Sequence, residues 1–225
     1  MQSLRQAMII HEQVRESLSP ILPAALDIAR RYGLPADYEA GHRPRHVAGN
    51  LSNPSEVKII LLLAEPGSNP FPEELGRSEK TWIEDITCDG LGNGGNRLRY
   101  DELAGSDYER NPRDFLRMVW PNSSPRANMS RCVITNSFWM QAPSSGGPIP
   151  AGASREFGVH LKRFLSVFAN AAVVAAGVKA QARCKQAGIF AMEMYALTPP
   201  GSNHQNVRDT WKTTADALRR RLGAG

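Results

Sequence analysis

From about residue 57 onward the chain alternates short apolar runs with stretches of helical periodicity. The run Val57-Lys58-Ile59-Ile60-Leu61-Leu62-Leu63 is apolar on both alternating faces and breaks into Ala64-Glu65-Pro66-Gly67-Ser68-Asn69-Pro70. A second run, Cys132-Val133-Ile134-Thr135-Asn136, and a third, Ala196-Leu197 leading into Thr198-Pro199-Pro200-Gly201-Ser202-Asn203-His204, also end in polar residues. Short β-rich runs separated by helical segments signal a parallel sheet with crossover helices. The pattern predicts strands near 57–63, 131–136, 171–176 and 191–197, and helices near 78–87, 111–119, 154–168, 178–187 and 204–222. Polar residues placed just after parallel strands converge on one crevice outside their carboxyl ends.

The first 33 residues read as two helices. One spans about Leu4 to Leu18, with Ala7, Ile10, Val14 and Leu18 on one stripe; Pro20 and Pro23 separate it from a second that ends at Gly33. Both are expected to cover a face of the sheet. Residues 34–55, punctuated by Pro35, Gly41, Pro44, Gly49 and Pro54, read as an irregular basic connection. Residues 88–110 form a Gly- and Asp-rich insertion too long for an ordinary connection, either a lid or a partner-binding excursion. The expectation is a single α/β domain over residues 1–225, a three-layer α/β/α sandwich around a central four-stranded parallel sheet.

Composition narrows the class. Hydrophobic residues at 41% and charged residues at 22% argue against long disorder. The longest apolar run, Ala169 to Val178 interrupted by Asn170, is too short to cross a bilayer. Arg5, His11, Glu12, Arg15 and Glu16 interrupt the N-terminal apolar positions, unlike a secretory signal. A cytoplasmic protein without membrane contact is predicted. Three cysteines, Cys88, Cys132 and Cys184, lack CxxC spacing and read as reduced packing residues, not as disulfide or thiolate metal partners. The net charge of +5 is uneven: residues 154–225 hold eleven Lys or Arg against four Asp or Glu, or +7, leaving −2 for the rest. A basic C-terminal third suits a polyanionic partner, although Arg219-Arg220-Arg221 also complement the negative end of a helix.

Several residues carry candidate chemistry. Glu65 follows the doubly apolar strand, and Pro66-Gly67 turns the chain sharply enough for a ligand to approach backbone. A fixed carboxylate there can stabilise developing positive charge and orient water; a turn or cap role is the alternative. The amide of Asn136 offers a donor and an acceptor together, which a nucleobase edge requires, or it bonds local backbone. Thr198 to Asn206 is a Pro-Pro-Gly loop running into a helix start that suits an anion; His204 is a donor there or a solvated cap neighbour. Arg208 and Lys212 follow as phosphate contacts or as a solvated helix face. Phe71, with Phe138 or Trp139 as substitutes, could stack on a base or simply pack in the core. The loop Ala142 to Pro148, with Ser144, could pinch a nucleic-acid backbone or serve as a linker.

Two apparent motifs are rejected. Gly90-Leu91-Gly92-Asn93-Gly94-Gly95 fits a dinucleotide pattern but follows no strand and opens no helix. His42 and His46 have helical ligand spacing, yet Pro44 between them disrupts it.

The ordered combination over about residues 57–222 resembles the uracil-DNA glycosylase superfamily. Leu63-Ala64-Glu65-Pro66-Gly67 stands where that superfamily carries a Gly-x-Asp-Pro or Gly-Glu-Ala-Pro-Gly loop. Thr135-Asn136 resembles the Thr-Asn of its iron-sulfur branch, Ala175-Ala176-Gly177-Val178-Lys179-Ala180 its Leu-Gly-x-x-Ala element, and Thr198-Pro199-Pro200-Gly201 its final His-Pro-Ser-Pro. The departures are Thr198 for His, Glu65 for Asp or Asn, and Met140 where a cluster-binding Cys is expected, so no iron-sulfur cluster or other cofactor is implied. The resemblance implies a monomeric, metal-independent glycosylase that extrudes a deaminated base from DNA and hydrolyses its N-glycosidic bond. Glu65 would serve the sugar or water, and His204 or Thr198 the leaving base. Asn136, Phe71, Gly67 and Ala64 would hold the base, and Ser144, Ser202, Asn203, Arg208 and Lys212 the DNA. A non-catalytic member that binds a base, nucleotide or DNA, and a hydrolase of free nucleosides or nucleotides, remain alternatives.

Overall fold

The computed structural model describes residue 16 and residues 19–36, 47–51, 53–66, 107–144, 147–197 and 205–223. Its elements, in chain order, are α1 (Ile21–Arg31), β1 (Val47–Gly49), a single 3-10 turn (Pro54–Glu56), β2 (Ile59–Leu63), α2 (Asp107–Val119), α3 (Pro125–Met129), β3 (Cys132–Asn136), α4 (Ala151–Ser166), β4 (Ala172–Ala176), α5 (Val178–Ala187), β5 (Met192–Met194) and α6 (Gln205–Leu222).

All five residues of β2 are buried, as its unbroken apolar run requires of a strand covered on both sides. It pairs in parallel with β3 on one side and β4 on the other, and β5 extends the sheet beyond β4. The order is β1-β3-β2-β4-β5, four parallel strands with β1 antiparallel at one edge. Pleat alternation splits the core in two. Ile60, Leu62, Val133 and Ala175 pack with the buried faces of α1, α4 and α5, where Phe138, Trp139, Phe157, Phe164 and Phe168 gather. Ile59, Leu61, Leu63, Cys132, Ile134, Val174 and Ala176 pack instead with α2 and α6. The expected three-layer α/β/α sandwich is therefore present. Among the described residues, no helix is long and apolar enough to cross a membrane.

Local chemistry explains the boundaries. In α1, Ile21, Leu22, Ala25, Leu26, Ile28 and Ala29 recur at helical spacing and are buried, and the helix stops where Gly33 takes a positive φ of 65°. Helix α5 begins after Gly177 and ends at Gly188, whose φ is 63°. The amide of Ile189 closes that end by donating to the Cys184 carbonyl at 2.9 Å.

Some expectations differ from what is found. Residues 34–55 are not wholly irregular, because Val47–Gly49 adds a strand to β3. Gly49 permits it: a Cβ there would stand 2.1 Å from the Cys132 carbonyl oxygen, an approach only glycine allows. Helix α2 starts at Asp107, inside the segment expected as an insertion, and α4 starts at Ala151 rather than 154. Strand β5 covers only Met192–Met194, and the short helix α3, capped by the Ser124 hydroxyl, was not foreseen. Apart from Glu16, which is helical, the expected helix at Leu4 to Leu18 lies outside the described residues. So do the helix at 78–87, residues 88–106 with Cys88 and the Gly90–Gly95 stretch, and His42 and His46.

Candidate functional site

The register lines up the strand ends. Asn136 pairs with Leu63 across β3 and β2, and Ala176 pairs with Met194 across β4 and β5. Since Leu62 pairs with Ala175, the row continues through Leu63 and Ala176. The residues just beyond that row are Ser137, Ala64, Gly177 and Tyr195, and together they form the rim of the crevice that the topology predicts.

Glu65 stands on this rim with its side chain only 8% exposed. One carboxylate oxygen, Oε1, accepts from Lys179 Nζ. The other, Oε2, lies 2.7 Å from Arg183 Nη2, a close ion pair without hydrogen-bond alignment. Lys179 and Arg183 sit four residues apart on α5, which brings both to one face of the helix. Arg183 is itself buried, donates from Nη1 to Ser137 Oγ at 3.1 Å, and lies 5.8 Å from the Phe138 ring centroid. Ser137 Oγ in turn donates to the Ala64 carbonyl at 2.9 Å, and the Phe138 amide donates to the same oxygen at 3.2 Å. Lys179 also donates to the Gly147 carbonyl at 3.2 Å. One carboxylate and two cations leave this cluster with a formal charge of +1.

Asn136 is also buried, at the end of the neighbouring strand. Pleat alternation puts it on the face of Cys132 and Ile134, which pack with α2 and α6, whereas Glu65 is held by α5 from the opposite layer. The two residues share one edge of the sheet and approach it from different faces. Thr135, preceding Asn136, is fully buried, and its hydroxyl has no hydrogen-bond partner among the described residues.

The other predicted residues divide. Ala64 is on the rim, with its carbonyl already accepting twice. Ser144 is exposed, and its carbonyl accepts from the Gly147 amide at 2.9 Å, closing a turn. Arg208 and Lys212 are exposed on the first turns of α6, with the Arg208 guanidinium 5.8 Å from the Trp211 ring centroid. Phe138, Trp139 and Met140 are fully buried in the aromatic half of the core, so the two rings are not stacking candidates. Gly67, Phe71, Thr198, Ser202, Asn203 and His204 lie outside the described residues. Cys132 and Cys184 are buried free thiols, and burial pushes the Cys184 thiol up to about 11 and that of Cys132 further, so both pack and neither is an active nucleophile.

Reasoning from sequence missed Arg183 and the ionic role of Lys179. The chain carries two cations at i and i+4 just after the Gly177 helix start, but that spacing does not say what they face. A surface groove lined by Trp120, Pro121, Asn122, Asp216, Arg219 and Arg220 lies where α2 and α6 end, at the opposite edge of the sheet, and contains none of the predicted residues.

Fold and rim together define an α/β/α protein with a largely buried ion cluster at the carboxyl edge of its parallel strands. No protein-family model matches the chain, and a comparison with curated proteins finds no match.

Proposed function

We propose that this protein is a DNA glycosylase of the uracil-DNA glycosylase type, a cytoplasmic monomer that hydrolyses the N-glycosidic bond of uracil or another deaminated base. The observation that carries the reading is the register joining Leu63 to Asn136, which sets Asn136 at the end of β3 and Glu65 just past the end of the adjacent parallel strand β2. Neighbouring strands are about 5 Å apart, so a nucleotide laid across their ends can offer its sugar to one residue and its base edge to the other. Breaking the bond builds positive charge on the sugar and negative charge on the base. A buried carboxylate held in one orientation suits the former, and the surplus cation of the cluster suits the latter. The Asn136 amide matches the donor-acceptor edge of uracil, with His204 or Thr198 assigned to the departing anion.

The ion cluster also favours a second reading, binding of a base or nucleotide without cleavage. Each oxygen of Glu65 already faces a cation, which competes with any water the carboxylate would orient. Oligonucleotides carrying uracil, hypoxanthine or xanthine, assayed for alkali-sensitive sites, separate the two. Glycosylase action predicts strand breaks with at least one of them, lost in Glu65→Ala while binding persists. Affinity for the modified oligonucleotide without any abasic site assigns the binding role instead, and strand breaks unchanged in Glu65→Ala exclude the carboxylate from catalysis. Activity confined to mononucleotides would move the protein to nucleoside hydrolysis.

A further inference from the structure

Among the described residues, four large apolar side chains are prominently exposed: Val159, Val178, Phe190 and Tyr195. Isolated exposed residues of this kind need no explanation. Val178 and Tyr195 are not isolated from each other. The Gly177 amide donates to the Met194 carbonyl at 2.8 Å, and Gln181 Nε2 donates to that same oxygen at 2.8 Å. Val178 follows one side of this clasp and Tyr195 the other, at exposures of 74% and 57%. A Cβ on Gly177 would come within 3.3 Å of the Ala196 Cβ, so the chain on both sides of Tyr195 is seated against the start of α5. The ring therefore stands on fixed backbone, one position past the aligned strand ends, while its surface faces solvent.

Its surroundings select a partner. Lys179, adjoining Val178, is the half-exposed member of a cluster with surplus positive charge. Helix α6, which packs on β5, presents Arg208 and Lys212 to solvent with Asp209 between them. Neighbouring strands are about 5 Å apart, so Tyr195 lies about 10 Å from Ala64, close to the spacing of one to two nucleotides along an unstacked chain. A solvent-facing aromatic ring on a rigid support, with cations on the helices that adjoin its strand, suits the stacking of single-stranded nucleic-acid bases.

We infer that Tyr195 is a stacking platform for the unpaired base next to the nucleotide held at Glu65 and Asn136. This rests on the reading of that edge as a DNA site, and adds that the DNA is single-stranded or opened around the target base.

The test uses the full chain and two single-stranded oligonucleotides with a central uracil, one carrying 2-aminopurine on its 5′ side and the other on its 3′ side. Stacking quenches 2-aminopurine fluorescence. The expected result is binding with quenching in one of the two placements. Tyr195→Ala should relieve the quenching and weaken binding about 5- to 100-fold, and Tyr195→Phe should preserve both. Because the side chain is exposed, the urea midpoint of both variants should match that of the parent. If the parent binds and Tyr195→Ala binds and quenches equally well, the platform is refuted while the DNA site stands. If the parent binds neither oligonucleotide, the DNA site and the platform fall together.

Discussion

Glu65 and Glu156 each meet an arginine and one further donor, but water reaches the two clusters very differently. Glu156 accepts from Tyr32 at 2.6 Å and lies 2.7 Å from Arg31, linking α4 to the end of α1 with side chains 39% and 50% exposed. Glu65 is 8% exposed and its Arg183 10%. An arginine is common to both, beside a lysine at Glu65 and a tyrosine hydroxyl at Glu156; the exposure is not. In water, attraction between ions is largely offset by lost solvation and side-chain freedom. In the interior a charge stripped of its partner has nothing to replace it. The first cluster is a surface clasp, and the second commits the end of β2 to the start of α5.

That contrast can be broken most sharply at Arg183. Arg183→Met should lower unfolding free energy by about 3 kcal/mol, because Glu65 stays buried with only Lys179 beside it. Urea denaturation measures this, and a midpoint equal to that of the parent would show that the cluster is solvated after all. Adding Glu65→Leu to Arg183→Met should recover a large part of that loss, since the isolated charge is gone; a double variant less stable than either single one would mean that packing, not charge, holds the site.

At the surface clasp the expected effects are smaller and depend on conditions. Hydrogen bonding from Arg31, then from Tyr32, holds the Glu156 carboxyl below its ordinary value of 4.5. A carboxyl whose folded pKa is depressed contributes stability above its unfolded pKa and loses it as pH falls through the folded value. The stability difference between the parent and Glu156→Gln should therefore be constant above about pH 5 and vanish as acid titrates the group. A difference that grows on acidification would reverse the sign and refute the pairing. Smallest of all should be Arg31→Met, whose urea midpoint should differ from the parent only at low ionic strength and coincide with it in about 0.5 M salt.

Much of this architecture was legible in the chain. Ile59-Ile60-Leu61-Leu62-Leu63 has no polar face and so announced a strand buried on both sides; Gly177 and Gly188 bounded α5 within a residue of its observed ends. The placement of Glu65 just past the strand was equally readable, since it follows from chain order alone. Its partners were not. Arg183 is 118 residues away in sequence, and nothing in a helix reading of residues 178–187 says which polar side chain is turned inward. Phe138 and Trp139 looked like possible stacking residues because they follow Asn136, yet both point into the aromatic core. Strand β1 escaped notice because three residues are too few for a periodic signal, and its pairing depends on the absence of a side chain at Gly49.

By itself the sequence determined the three longer parallel strands, most of the helices and the residues that end β2 and β3, because apolar periodicity and glycine act over a few neighbouring positions. Only the tertiary structure decided that Glu65 would be gripped by Lys179 and Arg183, that Asn136 would reach the same edge from the other face, and that Tyr195 would be left in solvent. Those outcomes depend on strand order, register and the layer to which each helix is assigned. They arise from contacts between residues tens to more than a hundred positions apart, whose energies no local pattern encodes.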